Sequence, residues 1–202
     1  MKTVKSVLEN AENTLYTAEL GLKMYQDSSS SKDKMAGLRN LIVFGRAVTN
    51  VLQNLKNLVV NFEGWYNPKV EEMGKDAILK HFYQMRSEVL KEGDIKFASS
   101  VQFNNFNSME FEKKIESIRP PNAKSFFIGD ELGGSGWNIE NEDGTIEKFY
   151  ININEHLDVE LNYKIELYNN KLDLPTKDIP EAGIYYIEYL KNLLNEAKNT
   201  FL

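Results

Sequence analysis

The chain has 202 residues, 42% hydrophobic and 27% charged, a composition that excludes a disordered chain and suits one globular domain or a helical body with an appended lobe. The net charge of −6 is uneven, because residues 1–93 hold 13 Lys/Arg against 11 Asp/Glu, whereas residues 94–202 hold 11 against 19. Since the acidic second half repels polyanions, any nucleic-acid contact is expected in the first half.

Two long helices are predicted at the start of the chain. Apolar residues at alternating steps of four and three, from Val4 to Tyr25, predict the first helix, and the serine run after Asp27 ends it. The second helix is predicted over 33–62 and is the most apolar element. This pair is expected to form an antiparallel hairpin, with the second helix central and in contact with neighbours on two sides. The residues that widen its apolar stripe are Phe44, Val51 and Leu58.

A break and a third long helix follow. The segment Gly64–Pro68 interrupts the helical pattern, and Pro68 is expected to open a short helix through Met73. The third long helix is predicted over 76–92, with Gly93 as its C-terminal stop. Its inner stripe consists of Ile78, Phe82, Met85 and Val89.

After Gly93 the apolar period changes from that of a helix to that of strands. The predicted strands cover residues 124–128, 136–140, 145–153 and 158–168. Glu142–Thr145 predicts a hairpin turn between two of them. The segment 94–118 stays open between strand and irregular structure, with a short helix over Met109–Ile118. A closing helix over 181–200 is expected to dock on the first helices through Ile184, Ile187, Leu190, Leu194, Ala197 and Phe201.

These elements predict an α+β protein, a predominantly helical antiparallel bundle with a small antiparallel β-sheet inserted before the C-terminal helix. The expected division is a helical bundle over 1–93, a strand-rich insertion lobe over 94–180, and a C-terminal helix over 181–202 that docks on the bundle. Together the three parts are expected to form one compact unit.

The sequence predicts a cytoplasmic protein with no membrane partner. Its longest apolar run, Leu41–Leu55, contains Arg46 and two asparagines, so it does not read as a membrane span. Glu9 and Glu12 stand where a secretory signal would have its apolar region. The chain has no cysteine, which fits a reducing compartment and leaves no disulfide, thiolate metal site or cysteine nucleophile.

Few residue patterns suggest a metal or a cofactor, and none is predicted. The two histidines, His81 and His156, are far apart in the sequence, so a zinc site is not expected. The glycine-rich segment Gly129–Gly136 lacks the GK[ST] ending of a phosphate loop and favours a strand connection. Trp65 and Trp137 are interpreted as core or interface residues rather than as platforms for bases. The 30 acidic residues leave a carboxylate magnesium site open, although a solvated surface is favoured.

Two arginines on apolar helices are the main candidates for a binding site. Arg86 lies at the edge of an apolar stripe, where a charged side chain needs a partner, a cleft or an interface. The structural alternative for Arg86 is a salt bridge to a glutamate on the first helix. Arg46 stands in a similar place on the second helix. Two arginines on facing helices can together hold a phosphate or a carboxylate.

The helix that contains Arg86 resembles the motif helix of HEPN-superfamily proteins. The resemblance rests on Phe82–Gly93 (FYQMRSEVLKEG), on Leu38–Thr49 (LRNLIVFGRAVT) and on the antiparallel hairpin. Arg86 matches the motif arginine, and Ser87 takes the place of the polar residue after it. His81 precedes the arginine instead of following it. The positions at which the family has its histidine are occupied by Lys91, Glu92 and Gly93.

The resemblance implies a bundle of four or five helices that forms a homodimer with a composite site. Many members are metal-independent ribonucleases in toxin–antitoxin, abortive-infection and CRISPR-linked phage defence systems. The resemblance implies Arg86 and Lys91 as catalytic residues and Arg46, Ser87 and His81 as substrate-binding residues. Cleavage by 2′-OH attack needs a group that exchanges a proton near pH 7, and histidine supplies one. Without the motif histidine, the sequence favours RNA binding over cleavage.

A second hypothesis is a non-catalytic interaction protein whose acidic strand-rich lobe binds a protein partner, such as a basic one. The RNA hypothesis predicts a solvent-accessible cleft on which Arg86 and Lys91 converge. The interaction hypothesis predicts Arg86 in a buried salt bridge and the main exposed apolar patch on the strand-rich lobe. A metal-dependent enzyme is a third hypothesis, which requires several acids to converge within ligand distance.

Overall fold

The computed structural model describes residues 2–28, 31–93, 95, 97–130, 134–165, 174–176 and 178–202. The helices in these residues are α1 (Val4–Asp27), α2 (Ser31–Leu52), α3 (Phe62–Lys75), α4 (Ala77–Glu92), α5 (Ser108–Ser117) and α6 (Ile179–Phe201). The strands are β1 (Phe97–Phe103), β2 (Ala123–Ile128), β3 (Ser135–Glu140), β4 (Ile146–Ile151) and β5 (Val159–Ile165). The protein is therefore α+β and mostly helical, with a small antiparallel sheet before the last helix, which confirms the predicted fold class.

Two compact units divide the chain. The helical unit contains Met1–Asp27, Ala36–Lys96 and Ile165–Leu202, and the strand-rich unit contains Ser28–Met35 and Phe97–Lys164. Each unit buries its own set of apolar side chains. Across the described ranges, none of the helices is both long and apolar enough to cross a lipid bilayer.

In the helical unit, α1 packs along α6 and touches α2 through its backbone. The predicted stripe of α1 is buried from Leu8 to Tyr25. A Cβ atom on Gly37 would lie 2.6 Å from the carbonyl oxygen of Gly21, and one on Gly21 would lie 2.7 Å from the carbonyl oxygen of Gly37. These distances are well inside van der Waals contact, so only glycine allows the two helices to cross this closely.

The second predicted helix ends at Leu52 rather than at residue 62. After Leu52 the chain forms a 3₁₀ turn over Gln53–Asn57. The side chain of Asn54 donates a hydrogen bond of 2.8 Å to a backbone carbonyl in the last turn of α2. This local bond competes with the helical hydrogen-bond pattern at the point where the helix ends. α2 contacts α1 at Gly37 and Tyr186 of α6 at Gly45, so it has neighbours on two sides. Two of the residues expected to widen its apolar stripe, Phe44 on α2 and Leu58 beyond its end, are each 37% exposed, so that part of the prediction is wrong.

The segment that was expected to interrupt the helices is itself helical. α3 begins at Phe62, includes Gly64–Pro68 and holds Pro68 in its interior. A helix opening at Pro68 is therefore wrong. Phe62 and Tyr66 lie one turn apart, are both buried, and stack with their ring centroids 5.0 Å apart. The burial of these rings compensates for the hydrogen bond that Pro68 cannot donate.

α4 begins and ends where the sequence predicts. Asp76 caps its N-terminus by accepting a 2.9 Å hydrogen bond from the amide of Leu79. Gly93 ends the helix with a φ of 73°, a left-handed conformation that favours glycine. The hydroxyl of Tyr185 on α6 donates to the second carboxylate oxygen of Asp76 at 2.5 Å. Asp76 thus links the start of α4 to α6.

α6 is slightly longer than predicted and buries a shifted face. It covers Ile179–Phe201, against the predicted 181–200. Ile184 is 44% exposed, so its place in the predicted stripe is wrong. Tyr186 and Leu193 are buried in addition to most of the other predicted residues.

The strand-rich unit contains a three-stranded antiparallel sheet in the order β2-β3-β4 and a separate pair of strands, β1 and β5. The hairpin predicted at Glu142–Thr145 joins β3 to β4. The segment 94–118, for which the sequence leaves strand and irregular structure as alternatives before a short helix, contains β1 and α5. The last predicted strand, 158–168, is observed up to Ile165, and its remaining residues lie outside the described part of the chain. The buried core of this unit consists of Ile115, Ala123, Trp137, Ile153 and Leu157.

We predict that Gly37→Ala lowers the free energy of unfolding of the helical unit by about 1–3 kcal/mol, because the added methyl group must separate α1 from α2. Denaturant unfolding followed by far-UV circular dichroism measures the change. Gly74→Ala is the matched control, because Gly74 is an exposed residue of α3 with no atom within 4 Å of an added Cβ. The control should gain about 0.5–1 kcal/mol from helix propensity. Equal stability of native protein and Gly37→Ala would contradict the backbone contact.

Candidate functional site

A pocket of about 370 Å³ opens in the helical unit between α2, α3, α4 and α6, and is called the Arg46 pocket below. Its exposed rim includes Gln53, Lys80 and Tyr83. None of the described residues that line it is acidic. The volume lies within the range of small-ligand sites. The buried lining residues are Thr49, Tyr66, Leu79, Tyr186 and Leu190.

Arg46 on α2 is the central cation of this pocket. The carbon of its guanidinium lies 5.4 Å from the ring centroid of Tyr83 on α4, a cation–π distance. Tyr83 is 54% exposed. Among the described residues, no ion pair or side-chain hydrogen bond occupies the guanidinium of Arg46. Its five N–H donors are therefore available to an anion at the mouth of the pocket.

Lys80 supplies a second positive charge at the rim. It lies three residues before Tyr83 on α4, so the two side chains share one side of that helix. The side chain of Lys80 is exposed and has no ion pair within the part of the chain that the structure describes. Two cations in a concave site without an acidic lining residue favour the binding of an anion.

Tyr186 on α6 forms part of the floor, and Gly45 makes room for it. The ring of Tyr186 stacks on Phe82 with a centroid distance of 4.2 Å and an interplanar angle of 14°. A Cβ on Gly45 would lie 2.5 Å from a ring carbon of Tyr186. Burial raises the pKa of Tyr186 far above its usual range, and the opposing effect of Arg46 is smaller. The phenol is therefore neutral at physiological pH.

The polar groups of Gln53 and Tyr66 in the lining make only long hydrogen bonds. The amide nitrogen of Gln53 donates to the hydroxyl of Tyr66 at 3.4 Å, and that hydroxyl donates to the carbonyl oxygen of Thr49 at 3.5 Å. Both distances are long for hydrogen bonds. The carboxamide of Gln53 keeps a second donor hydrogen and its oxygen acceptor for a ligand.

The structure separates the residues that the sequence singled out. Arg46 lines the pocket, but Arg86 and Lys91 do not. Arg86 is half-buried and has no ion pair with any described residue, and Lys91 is exposed near the end of α4. Ser87 donates its hydroxyl hydrogen to the carbonyl oxygen of Tyr83 at 3.3 Å, a bond within α4.

His81, a predicted substrate-binding residue, lies in the core. Its side chain is 1% exposed, so it does not reach the surface of the helical unit. Burial lowers the pKa of His81 to about 4, because the charged imidazolium is disfavoured away from water. The imidazole is therefore neutral at pH 7.

The sequence did not identify the partners of Arg46. For three of them the sequence spacing already indicates a shared helix side. Lys80 and Tyr83 are one turn apart on α4. Gln53 follows Arg46 by two turns and lies on the same side of the most apolar segment of the chain. Tyr186 had no such signal, because it is distant in sequence and reaches the pocket only through the packing of α6.

We predict that the stability of the helical unit falls as the pH is lowered, in part because of His81. The pKa of His81 in the folded protein, about 4, lies below its value of 6.5 for an exposed histidine, so the unfolded chain binds the proton first. Between pH 7 and pH 5 the native protein should lose about 2 kcal/mol more than His81→Leu. Denaturant unfolding at the two pH values measures this difference. An imidazole that titrates near pH 6.5 by NMR would contradict it.

Comparison with known proteins gives one family. The family model of bacteriophage lambda protein ea47 matches residues 21–125, which is more than half of the chain. The matched region includes α2, α3 and α4 and therefore Arg46, Lys80 and Tyr83. No curated protein and no solved structure matches the chain. On the extent of this match, the chain belongs to the bacteriophage lambda protein ea47 family.

Proposed function

We propose that the helical unit binds single-stranded RNA, with one nucleotide held in the Arg46 pocket. The observation that carries the proposal is the guanidinium of Arg46, which lies over the ring of Tyr83 and pairs with no described acid, in a pocket that is lined by no acidic residue within the described ranges. The resemblance of α4 to the HEPN motif helix and the membership of a phage family suggest a toxin–antitoxin or phage defence setting.

The cations of the pocket fit a phosphate group. Arg46 can offer two parallel N–H donors to phosphate oxygens, and Lys80 adds a point charge at the rim. Tyr83 contacts Arg46, lies one turn from Lys80 on α4 and is half exposed, so a base can stack on its open surface. Such stacking contributes about 1–3 kcal/mol per base in proteins that bind single strands.

The side of the pocket that Gln53 and Tyr66 line fits the edge of a base. Gln53 presents a carboxamide with a free donor hydrogen and an acceptor oxygen, and the hydroxyl of Tyr66 is only weakly bonded. The remaining wall is apolar, with Leu79 and Leu190 among its residues. A planar group with polar edges and an attached anion matches this combination of donors, acceptors and apolar surface.

The proposal is for binding, with cleavage as a separate question. The motif histidine is absent from the positions after Arg86, and His81 is buried and neutral. Arg86 follows Tyr83 by one turn on α4 and makes no ion pair with a described residue, so it is suited to the phosphate of a neighbouring nucleotide.

From the HEPN resemblance alone we also propose a homodimer, which light scattering at the concentrations used for binding would detect.

We predict that Arg46→Ala lowers the affinity for a labelled single-stranded RNA about tenfold or more, because the variant loses a charge-assisted phosphate contact and the cation beside Tyr83. Fluorescence anisotropy titrations at several salt concentrations, with EDTA present, measure the affinity. The slope of log affinity against log salt should become shallower by about 0.7 for each phosphate contact that is lost. Tyr83→Leu should weaken binding at every salt concentration while leaving that slope unchanged.

The matched control is Lys56→Ala, which removes a cation of the same unit that already pairs with Glu63 at 2.7 Å and does not line the pocket. This variant should bind RNA as the native protein does. If Arg46→Ala is folded and binds RNA equally well, the pocket is not the binding site. The same samples on a denaturing gel, with Arg86→Ala for comparison, report any cleavage.

A further inference from the structure

β4 in the strand-rich unit is an edge strand that is exposed on both faces. It ends the described order β2-β3-β4, and five of its six residues are exposed. The neighbouring β3 buries its first three residues. The exposed fractions of the large apolar side chains on β4 are 58% for Ile146, 48% for Phe149 and 38% for Tyr150. An edge with apolar side chains on both faces is open to pairing with a further strand.

The register of the sheet leads two aromatic rows to this edge. Phe126, Trp137 and Phe149 are directly opposite one another on β2, β3 and β4, so they share one face of the sheet. On the other face, Phe127 and Tyr150 lie on either side of Gly136, and their rings meet edge to face at 5.7 Å. A strand added to β4 would extend both rows and cover the exposed sides of Phe149 and Tyr150.

The charge at this edge is negative. Residues 97–164 hold 6 Lys/Arg against 12 Asp/Glu. On β4, Lys148 is paired with Asp130 at 2.9 Å, and the carboxylate side chain of Asp130 is 7% exposed. The positive charge of Lys148 is therefore compensated within the strand-rich unit. Three acids of β4 and its hairpin turn make no ion pair with a described residue, and these are Glu142, Asp143 and Glu147.

We propose that the outer edge of β4 pairs with an extended basic segment of a protein partner. Backbone hydrogen bonds to the edge, which no described strand occupies, supply the binding, and a Lys or Arg opposite Glu147 supplies the charge match. Apolar side chains of the same segment cover Phe149 and Tyr150. RNA does not fit this surface, because the acids repel phosphate.

A second copy of the chain fits this edge less well than a basic segment. Two-fold antiparallel pairing of β4 with itself, centred on Glu147 or on Lys148, places like charges directly opposite each other. The excess of acids in residues 97–164 adds further repulsion between two copies. The proposal is independent of RNA binding in the helical unit.

The test uses the full chain and a labelled heptapeptide of alternating lysine and valine, with a glutamate–valine peptide and a lysine–valine peptide N-methylated at alternate residues as comparisons. We expect saturable binding of the lysine–valine peptide, at least tenfold weaker binding of the glutamate–valine peptide, and loss of binding on N-methylation, which blocks strand pairing. Hydrogen exchange of the Ile146–Ile151 amides should slow when the peptide is bound.

Glu147→Lys should weaken binding of the lysine–valine peptide about tenfold. The matched control is Glu112→Lys, the same charge reversal at an exposed residue of α5 in the same unit, and it should bind as the native protein does. An equal effect of both variants would mean general electrostatic attraction and would overturn the proposal. Absence of binding, exchange protection away from β4, self-association through β4 without peptide, or displacement of the peptide by RNA would each overturn it as well.

Discussion

Backbone contact between α1 and α2 is the constraint on which the helical unit depends. Gly21 and Gly37 bring the two helices closer than any side chain allows, and α6 then packs along α1. A third glycine, Gly183, lies on α6 where a Cβ would be 2.8 Å from the side chain of Leu22 and 3.1 Å from that of Leu41. Small residues at the crossings thus fix the position of α6 relative to α1 and α2, because interiors pack too densely for alternative arrangements.

The Arg46 pocket follows from the position of α6. Once α6 is fixed, Tyr186 must fit against α2, and Gly45 admits its ring while Phe82 stacks on the other side. Arg46 follows Gly45 directly in α2, so the residue that accommodates the floor of the pocket is adjacent to the residue that carries its charge. The arginine does not need a protein anion there, because it is only half-buried and interacts with the ring of Tyr83.

The sequence predicted those features that depend on local chemistry. The bounds of α4 follow from Asp76 as N-cap and Gly93 as stop, and the stripe of α1 follows from its periodicity. The interior position of Pro68 could not be predicted, because α3 is stabilised by the stack of Phe62 on Tyr66, which overrides a local helix breaker. Arg46 was identifiable as a charged residue on an apolar helix. Tyr186, which forms part of the floor of the Arg46 pocket, was not, because it comes from α6, far away in sequence.

The uneven charge of the chain bears on both proposed surfaces. A net charge of −6 argues against RNA binding only if charges act over the whole molecule, and screening limits exposed charges to a Debye length of about 8–10 Å in physiological salt. The affinity of a site for phosphate therefore depends on its own lining, and the described lining of the Arg46 pocket includes two cations and no acid. The same reasoning applies to β4, where Asp130 compensates Lys148 and leaves Glu147 to set the local sign. Local pairing of charges, rather than the total, decides which kind of partner each surface can bind.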